Sequence, residues 1–97
     1  MQRQNTEPIS VILQRFLQEN KLEKPLLERQ VVQHWGELMG ALVSKYTGKI
    51  EIRNGILYVQ ILSAALRHEM FICRQQIVKK INDKMQAQVV KDIRLLG

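Results

Sequence analysis

The dipeptide Asn54-Gly55 constrains this chain more than any other feature. It stands between two runs of alternating character, Lys49-Ile-Glu-Ile-Arg53 and Ile56-Leu-Tyr-Val-Gln-Ile61. Asn-Gly suits a type I′ turn, because both central residues of that turn need positive φ. The segment therefore predicts a β-hairpin. Ile50 and Ile52 share one side of the first strand, and Leu57, Val59 and Ile61 share one side of the second. That apolar side has to be covered by something. The opposite side of the second strand carries Ile56, Tyr58 and Gln60.

The cover comes from helices on either side of the hairpin. Thr6 can cap a first helix, with Pro8 in its first turn. Ile9, Ile12, Leu13, Phe16 and Leu17 recur at helical spacing and predict one apolar stripe ending near Asn20. Glu19 to Lys24 reads as a connector. Pro25 can open a second helix, with Leu27, Val31, Trp35 and Leu38 on one face. Gly36 and Gly40 interrupt it. A third helical segment carries Met39, Leu42, Val43 and Tyr46, and Gly48 is expected to stop it. After the hairpin, Ser63 caps a crossover helix whose stripe is Leu66, Met70, Cys73, Ile77 and Ile81, widened by Phe71 and Val78. Asn82-Asp83 weakens the helix. Val89 to Leu95 has strand composition, with Val89, Lys91, Ile93 and Leu95 on one face and Val90, Asp92 and Arg94 on the other. It is expected to join the hairpin sheet.

The predicted order is α-α-α-β-β-α-β. It is an α+β fold with helices on one face of a three-stranded sheet. The 97 residues allow one domain, with residues 1–5 frayed. Aromatics are only 5% of the chain, so the core rests on Ile, Leu, Val and Met.

The search for chemistry returns little. His34 and His68 stand far apart, with no Asp, Glu or Cys at ligand spacing, so no metal site is expected. Cys73, the one cysteine, falls on a core stripe and reads as an inert thiol. It allows no internal disulfide. Gly36-Glu-Leu-Met-Gly40 is not a nucleotide-binding loop, having no Lys-Ser/Thr after it. It is also one residue too long for the Gly-x-x-Gly loop of KH domains. The expectation is a protein that is not an enzyme, with no cofactor and no small-molecule substrate. No apolar run approaches a bilayer span, and no apolar signal core follows the N-terminal charge, so a cytoplasmic location with no membrane partner is expected.

Charge points to an anionic partner. The net charge is +6, and it is uneven. Residues 1–48 carry six Lys/Arg against five Asp/Glu, whereas residues 49–97 carry nine against four. A basic half favours nucleic acid, an anionic membrane surface or an acidic protein, although an excess that merely solubilises would look the same. The candidate nucleic-acid contacts are Arg67, Arg74, Lys79, Lys80 and Lys84 along the crossover helix, with Lys49 and Arg53 on the first strand. They form a dispersed field suited to phosphate backbone, not an element that reads sequence. Tyr58 is a candidate partner contact if its strand face is open, either as a stacking ring or as one half of a cross-strand pair. Ile72 points away from the core stripe and is a second candidate partner contact. Trp35 reads as a core anchor.

Several blocks together carry a family resemblance. They are Trp35-Gly-Glu-Leu-Met-Gly40, Tyr46-Thr47, Asn54-Gly-Ile-Leu-Tyr-Val59, Ser63-Ala-Ala-Leu-Arg-His-Glu-Met70 and Val89-Val-Lys-Asp-Ile93. In this order they resemble the DciA-type replicative-helicase loaders, and in particular the short members. The resemblance implies a KH-like fold without the Gly-x-x-Gly loop. It also implies work on DNA beside the replicative DnaB-type helicase, which the protein would help to place on single strands without hydrolysing nucleotide. The chain departs from longer members in lacking an extended tail and a zinc ribbon. It has Leu66 where many members have Trp. On the sequence alone three functions stay open: a DNA-associated adaptor that recruits or loads the helicase, a KH-like RNA-binding module, and a plain protein-interaction domain.

Overall fold

A computed structural model describes residues 8–19, 21 and 23–97, except the side chain of Leu17. Thr6 and Asn20 lie outside the described residues. Six helices and three strands follow one another: α1 (Ile9–Glu19), α2 (Glu23–Gln33), α3 (Trp35–Met39), α4 (Ala41–Tyr46), β1 (Thr47–Arg53), β2 (Ile56–Ile61), α5 (Ala64–Ile72), α6 (Arg74–Met85) and β3 (Asp92–Leu96). The fold is α+β, with the helices packed against a three-stranded sheet of order β1-β2-β3.

The hairpin forms where the sequence places it. Asn54 and Gly55 both take positive φ, 53° and 81°. Ile50 pairs with Val59 and Ile52 with Leu57 in the antiparallel ladder. The turn is also tied to the rest of the fold. Gly55 donates its N–H to the Glu28 carboxylate on α2 at 3.2 Å. Its carbonyl accepts from the Lys91 N–H at 2.7 Å, just before β3. β1 starts two residues earlier than expected, and the register shifts between Thr47 and Ile50. Gly48 therefore lies inside β1 and does not stop a helix. A side chain there would meet Gln60, whose amide oxygen would be 2.3 Å from a Cβ. That oxygen accepts from the Lys49 N–H at 3.1 Å and fills the irregularity.

The core sits on the inner side of β2. Leu57, Val59 and Ile61 are fully buried there, beneath Val31, Trp35, Leu38, Met70, Ile77, Ile81 and Ile93. Trp35 is the expected anchor. Its indole N–H donates to Thr47 Oγ1 at 3.0 Å, and that hydroxyl donates to the Val43 carbonyl at 2.7 Å. A buried Trp needs such a partner for its polar end.

Four expectations need correction. The second helix divides at His34, which leaves helical geometry at φ −99°, ψ 8°. The crossover helix likewise divides at Cys73, at φ −102°, ψ 23°. Phe71, in the last turn of α5, faces outward, so it does not widen the core stripe and is 54% exposed. The stripe of α1 is not buried either. Ile9, Ile12, Leu13 and Phe16 are all exposed, because α1 packs chiefly on α2.

The fourth correction concerns β3. The strand is Asp92–Leu96, and Val89 and Val90 precede it without joining a ladder. Both are buried although they are neighbours, and Lys91 is exposed instead of facing the core. The cause is Asn82, which stays helical; α6 runs on to Met85 and stops at Gln86 in left-handed geometry. Asn82 Oδ1 accepts from the N–H of Val89 at 3.0 Å and of Val90 at 2.9 Å. Its Nδ2 donates to the Val90 carbonyl at 2.8 Å. The chain then enters β3 parallel to β2, with Leu57 opposite Ile93 and Val59 opposite Leu95.

Two stability measurements follow. Asn82→Ala orphans the buried N–H and carbonyl of Val90 and leaves the Val89 N–H only the Ala87 carbonyl at 3.0 Å; a buried group left unsatisfied costs roughly 1–3 kcal/mol, so chemical denaturation is expected to show a loss of about 2 kcal/mol or more. Gly55→Val forces left-handed backbone on a branched residue, at about 1–2 kcal/mol, and brings a Cβ to 3.0 Å from the Lys91 side chain. A total loss of about 2 kcal/mol is expected, and an unchanged melting temperature would exclude this turn type.

Candidate nucleic-acid interface

Because the helices cover one side of the sheet, the other side is available. Paired residues share a face, so Glu51, Tyr58 and Arg94 lie in one row across the three strands. Arg53, Ile56 and Asp92 form the adjoining row. Every side chain in both rows is exposed or half-buried. Tyr58 therefore stands at the centre of an open face, as its candidate role requires.

Charges on this face are locally balanced. Arg53 reaches Glu51 at 3.4 Å, and Arg94 is bonded to Asp92. The Arg94 hydrogen bond, followed by the Ile93 N–H, holds the Asp92 carboxyl below its ordinary value. The Arg53 guanidinium also lies over the Tyr58 ring, 4.5 Å from its centroid. Such a contact is a cation–π interaction that steadies the ring. On this face Lys49 is exposed and makes no ion pair among the described residues.

A second feature lies at the outer edge of β3. The break at Cys73 brings Phe71 and Arg74 against the strand. Arg74 donates to the Phe71 carbonyl at 2.8 Å, and its guanidinium lies 4.2 Å from the centre of the Phe71 ring. Together with residues 92–96 they line a groove of about 400 Å³. Arg74 and Arg94 both line it, beside an aromatic ring. Ile72, 62% exposed, does not line this groove but a neighbouring hollow with Cys73, Arg74, Gln75 and Gln76.

The structure distributes the seven predicted cations over four places. Lys49 and Arg53 are on the open sheet face. Arg74 is in the groove. Arg67 is half-buried and donates to the Ile61 carbonyl at 2.7 Å, which closes the end of β2. Lys79, Lys80 and Lys84 stand exposed on the outer surface of α6, and Lys79 is paired with Asp83 at 2.7 Å. The predicted set is thus not one patch.

Sequence reasoning missed Phe71 and Arg94 as site residues. Alternation does put Arg94 opposite Ile93, but its place beside Tyr58 depends on the parallel register. Phe71 gives no signal, since its spacing matches the core stripe. Among the described residues, no cluster of three or more His, Cys, Asp or Glu is placed to hold a metal ion. None of the described helices is long and apolar enough to cross a membrane.

A helix-backed sheet with an open face and an arginine-lined groove at its edge defines a small α+β binding module. The chain belongs to the DciA family: the family model described as Dna[CI] antecedent, DciA, matches residues 8–95. That name links the family to loading of the DnaB-type helicase. No curated protein matches the chain.

The lowered Asp92 carboxyl gives a pH dependence. Its stabilising contribution is in force above the ordinary value of 3.8 and is lost as pH falls through the lower folded value. Thermal melts from pH 5 to pH 2 are therefore expected to fall less steeply at the acid end for Asp92→Asn than for the wild type. The pair is solvent-exposed, so the difference is small.

Proposed function

We propose that this chain is a non-catalytic adaptor that recruits or loads the DnaB-type replicative helicase, working in the cytoplasm on single-stranded DNA held in the groove beside β3. The observation that carries the reading is the pairing of Arg74 and Phe71 at the free edge of the sheet, within a chain of the DciA family. A guanidinium fixed to a ring and to a carbonyl is preorganised for a phosphate oxygen. In a KH domain a Gly-x-x-Gly loop clamps the backbone. In our reading of this chain as KH-like, the junction Phe71-Ile-Cys-Arg74 takes that place, with a cation in the role of glycine N–H groups.

The remaining cations act at longer range. Lys80 and Lys84 on α6 raise the local concentration of strand without fixing its path. Arg67 serves the fold. Ile72, exposed in the hollow beside the groove, offers an apolar contact to the helicase, next to the DNA that the helicase has to encircle. Mechanistically the adaptor adds binding free energy only to the arrangement in which helicase and strand are both engaged, and so shifts the population toward it.

Fluorescence anisotropy with labelled single strands tests the DNA step. With about three phosphates neutralised, the log–log salt slope is expected near −2. Arg74→Gln is expected to weaken all sequences alike by about tenfold. The triple change Lys79→Glu, Lys80→Glu and Lys84→Glu is expected to flatten the slope while the strand stays in the groove. Retention of the helicase on immobilised chain, and faster helicase assembly on circular single strands without nucleotide hydrolysis by the adaptor, test the loading step. Tighter binding to RNA than to DNA of the same sequence, with no helicase retained, would replace the reading with an RNA-binding module.

A further inference from the structure

We infer that the open face of the sheet seats one unpaired nucleobase against Tyr58, so that a single strand leaving the β3 groove crosses the sheet edge at Leu96 and stacks there. The inference rests on the reading of the groove as a strand path. It adds a site of different chemistry on the opposite side of β3.

A cavity of about 240 Å³ opens on this face, lined by Lys49, Glu51, Tyr58, Gln60 and Leu96 among others. It falls below the ~300–1,000 Å³ of ordinary small-molecule sites, which suits a single ring system. Leu96 lines both this cavity and the groove beside β3, so the two meet at that side chain. Arg53 lies over the Tyr58 ring at 4.5 Å but does not line the cavity. The ring thus borders the cavity while the guanidinium that contacts it stays outside the lining. That arrangement holds the ring in place before a base arrives, which reduces the ordering cost of stacking.

The polar groups around the ring fit a base edge and one phosphate. The Gln60 oxygen is taken by the Lys49 N–H, which leaves its amide nitrogen as a donor. Glu51 Oε1 faces Arg53, and its second oxygen remains an acceptor for a base N–H, the ring N3–H in the case of thymine. The Lys49 ammonium, which makes no ion pair among the described residues, can meet the phosphate next to the base.

Electrostatics chooses the occupant. Arg53 and Arg94 are paired with Glu51 and Asp92, so among the described residues Lys49 is the cation left on this face without an ion pair. What the face offers is a supported aromatic surface, which unpaired bases recognise with little regard to sequence. A duplex keeps its bases stacked and cannot use the site.

The experiment measures affinity for oligothymidine, for the same oligomer with abasic positions, and for duplex of equal length. The proteins compared are the wild type, Tyr58→Ala, Tyr58→Leu, Tyr58→Phe and Arg74→Gln. Tyr58→Leu keeps an apolar residue on the strand and guards against a folding defect in Tyr58→Ala, with melting temperature as the check. Expected are a tenfold or greater loss for oligothymidine in Tyr58→Ala and Tyr58→Leu, an unchanged salt slope, unchanged duplex affinity, and full retention in Tyr58→Phe. The abasic strand should bind the wild type as weakly as oligothymidine binds Tyr58→Leu. Folded Tyr58 variants with wild-type affinity, while Arg74→Gln is impaired, would overturn the base seat and leave the groove reading standing. Equal losses on abasic and intact strands would overturn it too. Loss of helicase retention with intact DNA binding would overturn it by making the face a protein-docking surface. A wild type that binds no single strand at low salt would remove the groove and the base seat together.

Discussion

The side chain of Asn82 is the point on which the arrangement of this molecule turns. A parallel strand cannot reach its neighbour through a tight turn and has to be delivered by a crossover. Here the crossover is α5 and α6, and the chain must then reverse and enter β3 at one register. Asn82 is the buried polar residue among the core side chains. It bonds both N–H groups and one carbonyl of Val89-Val90. The two valines can both be buried because their backbone is satisfied by an amide and not by a ladder. A buried amide with its partners in place specifies one geometry, since every alternative leaves orphans in a low-dielectric interior. The Lys91 N–H on the Gly55 carbonyl fixes the other end of the same segment.

Both candidate surfaces inherit their shape from that constraint. The groove exists because β3 is an edge strand lying beside the α5–α6 junction. The row Glu51–Tyr58–Arg94 exists because β3 pairs with β2 at one particular register. A shift by one residue would turn Ile93 onto the open face and Arg94 into the core. The burial cost of an arginine there makes the register strongly determined. Fold stability and site geometry are therefore the same variable near Asn82, and a variant that loosens it is expected to lose both.

What could be read from the sequence divides along physical lines. The hairpin was legible because Asn-Gly and period-2 alternation are local signals, and both acted as expected. Trp35 and the stripe of Met70, Ile77 and Ile81 were legible through helical spacing. Asn82 was misread as a weakening of the helix, because its role depends on residues seven and eight positions later in a buried environment. Val89-Val90 carry strand propensity that tertiary packing overrides. The stripe of α1 has the spacing of a core helix, but spacing does not say whether a covering element is present. The basic half of the chain was correctly counted, yet charge count is blind to faces. Lys79, Lys80 and Lys84 ended on one side of the molecule and Lys49 and Arg53 on another.

The break at Cys73 joins the misreading to the function. No Gly or Pro marks it, and the apolar spacing of Leu66, Met70, Cys73, Ile77 and Ile81 runs straight through. A continuous helix over this stretch would close the Phe71 carbonyl into a helical hydrogen bond. The break instead leaves that carbonyl facing the Arg74 guanidinium, which bonds it and stacks on the ring of the same residue. One backbone departure thus sets an oriented cation on an exposed aromatic against the free edge of β3. Local propensity and tertiary structure agree over most of this fold, and disagreement of this kind is expected to concentrate where a protein meets its ligand. The concentration of these features at one helix junction is the physical reason for proposing the groove as the strand's path, ahead of the more numerous but separately solvated lysines of α6.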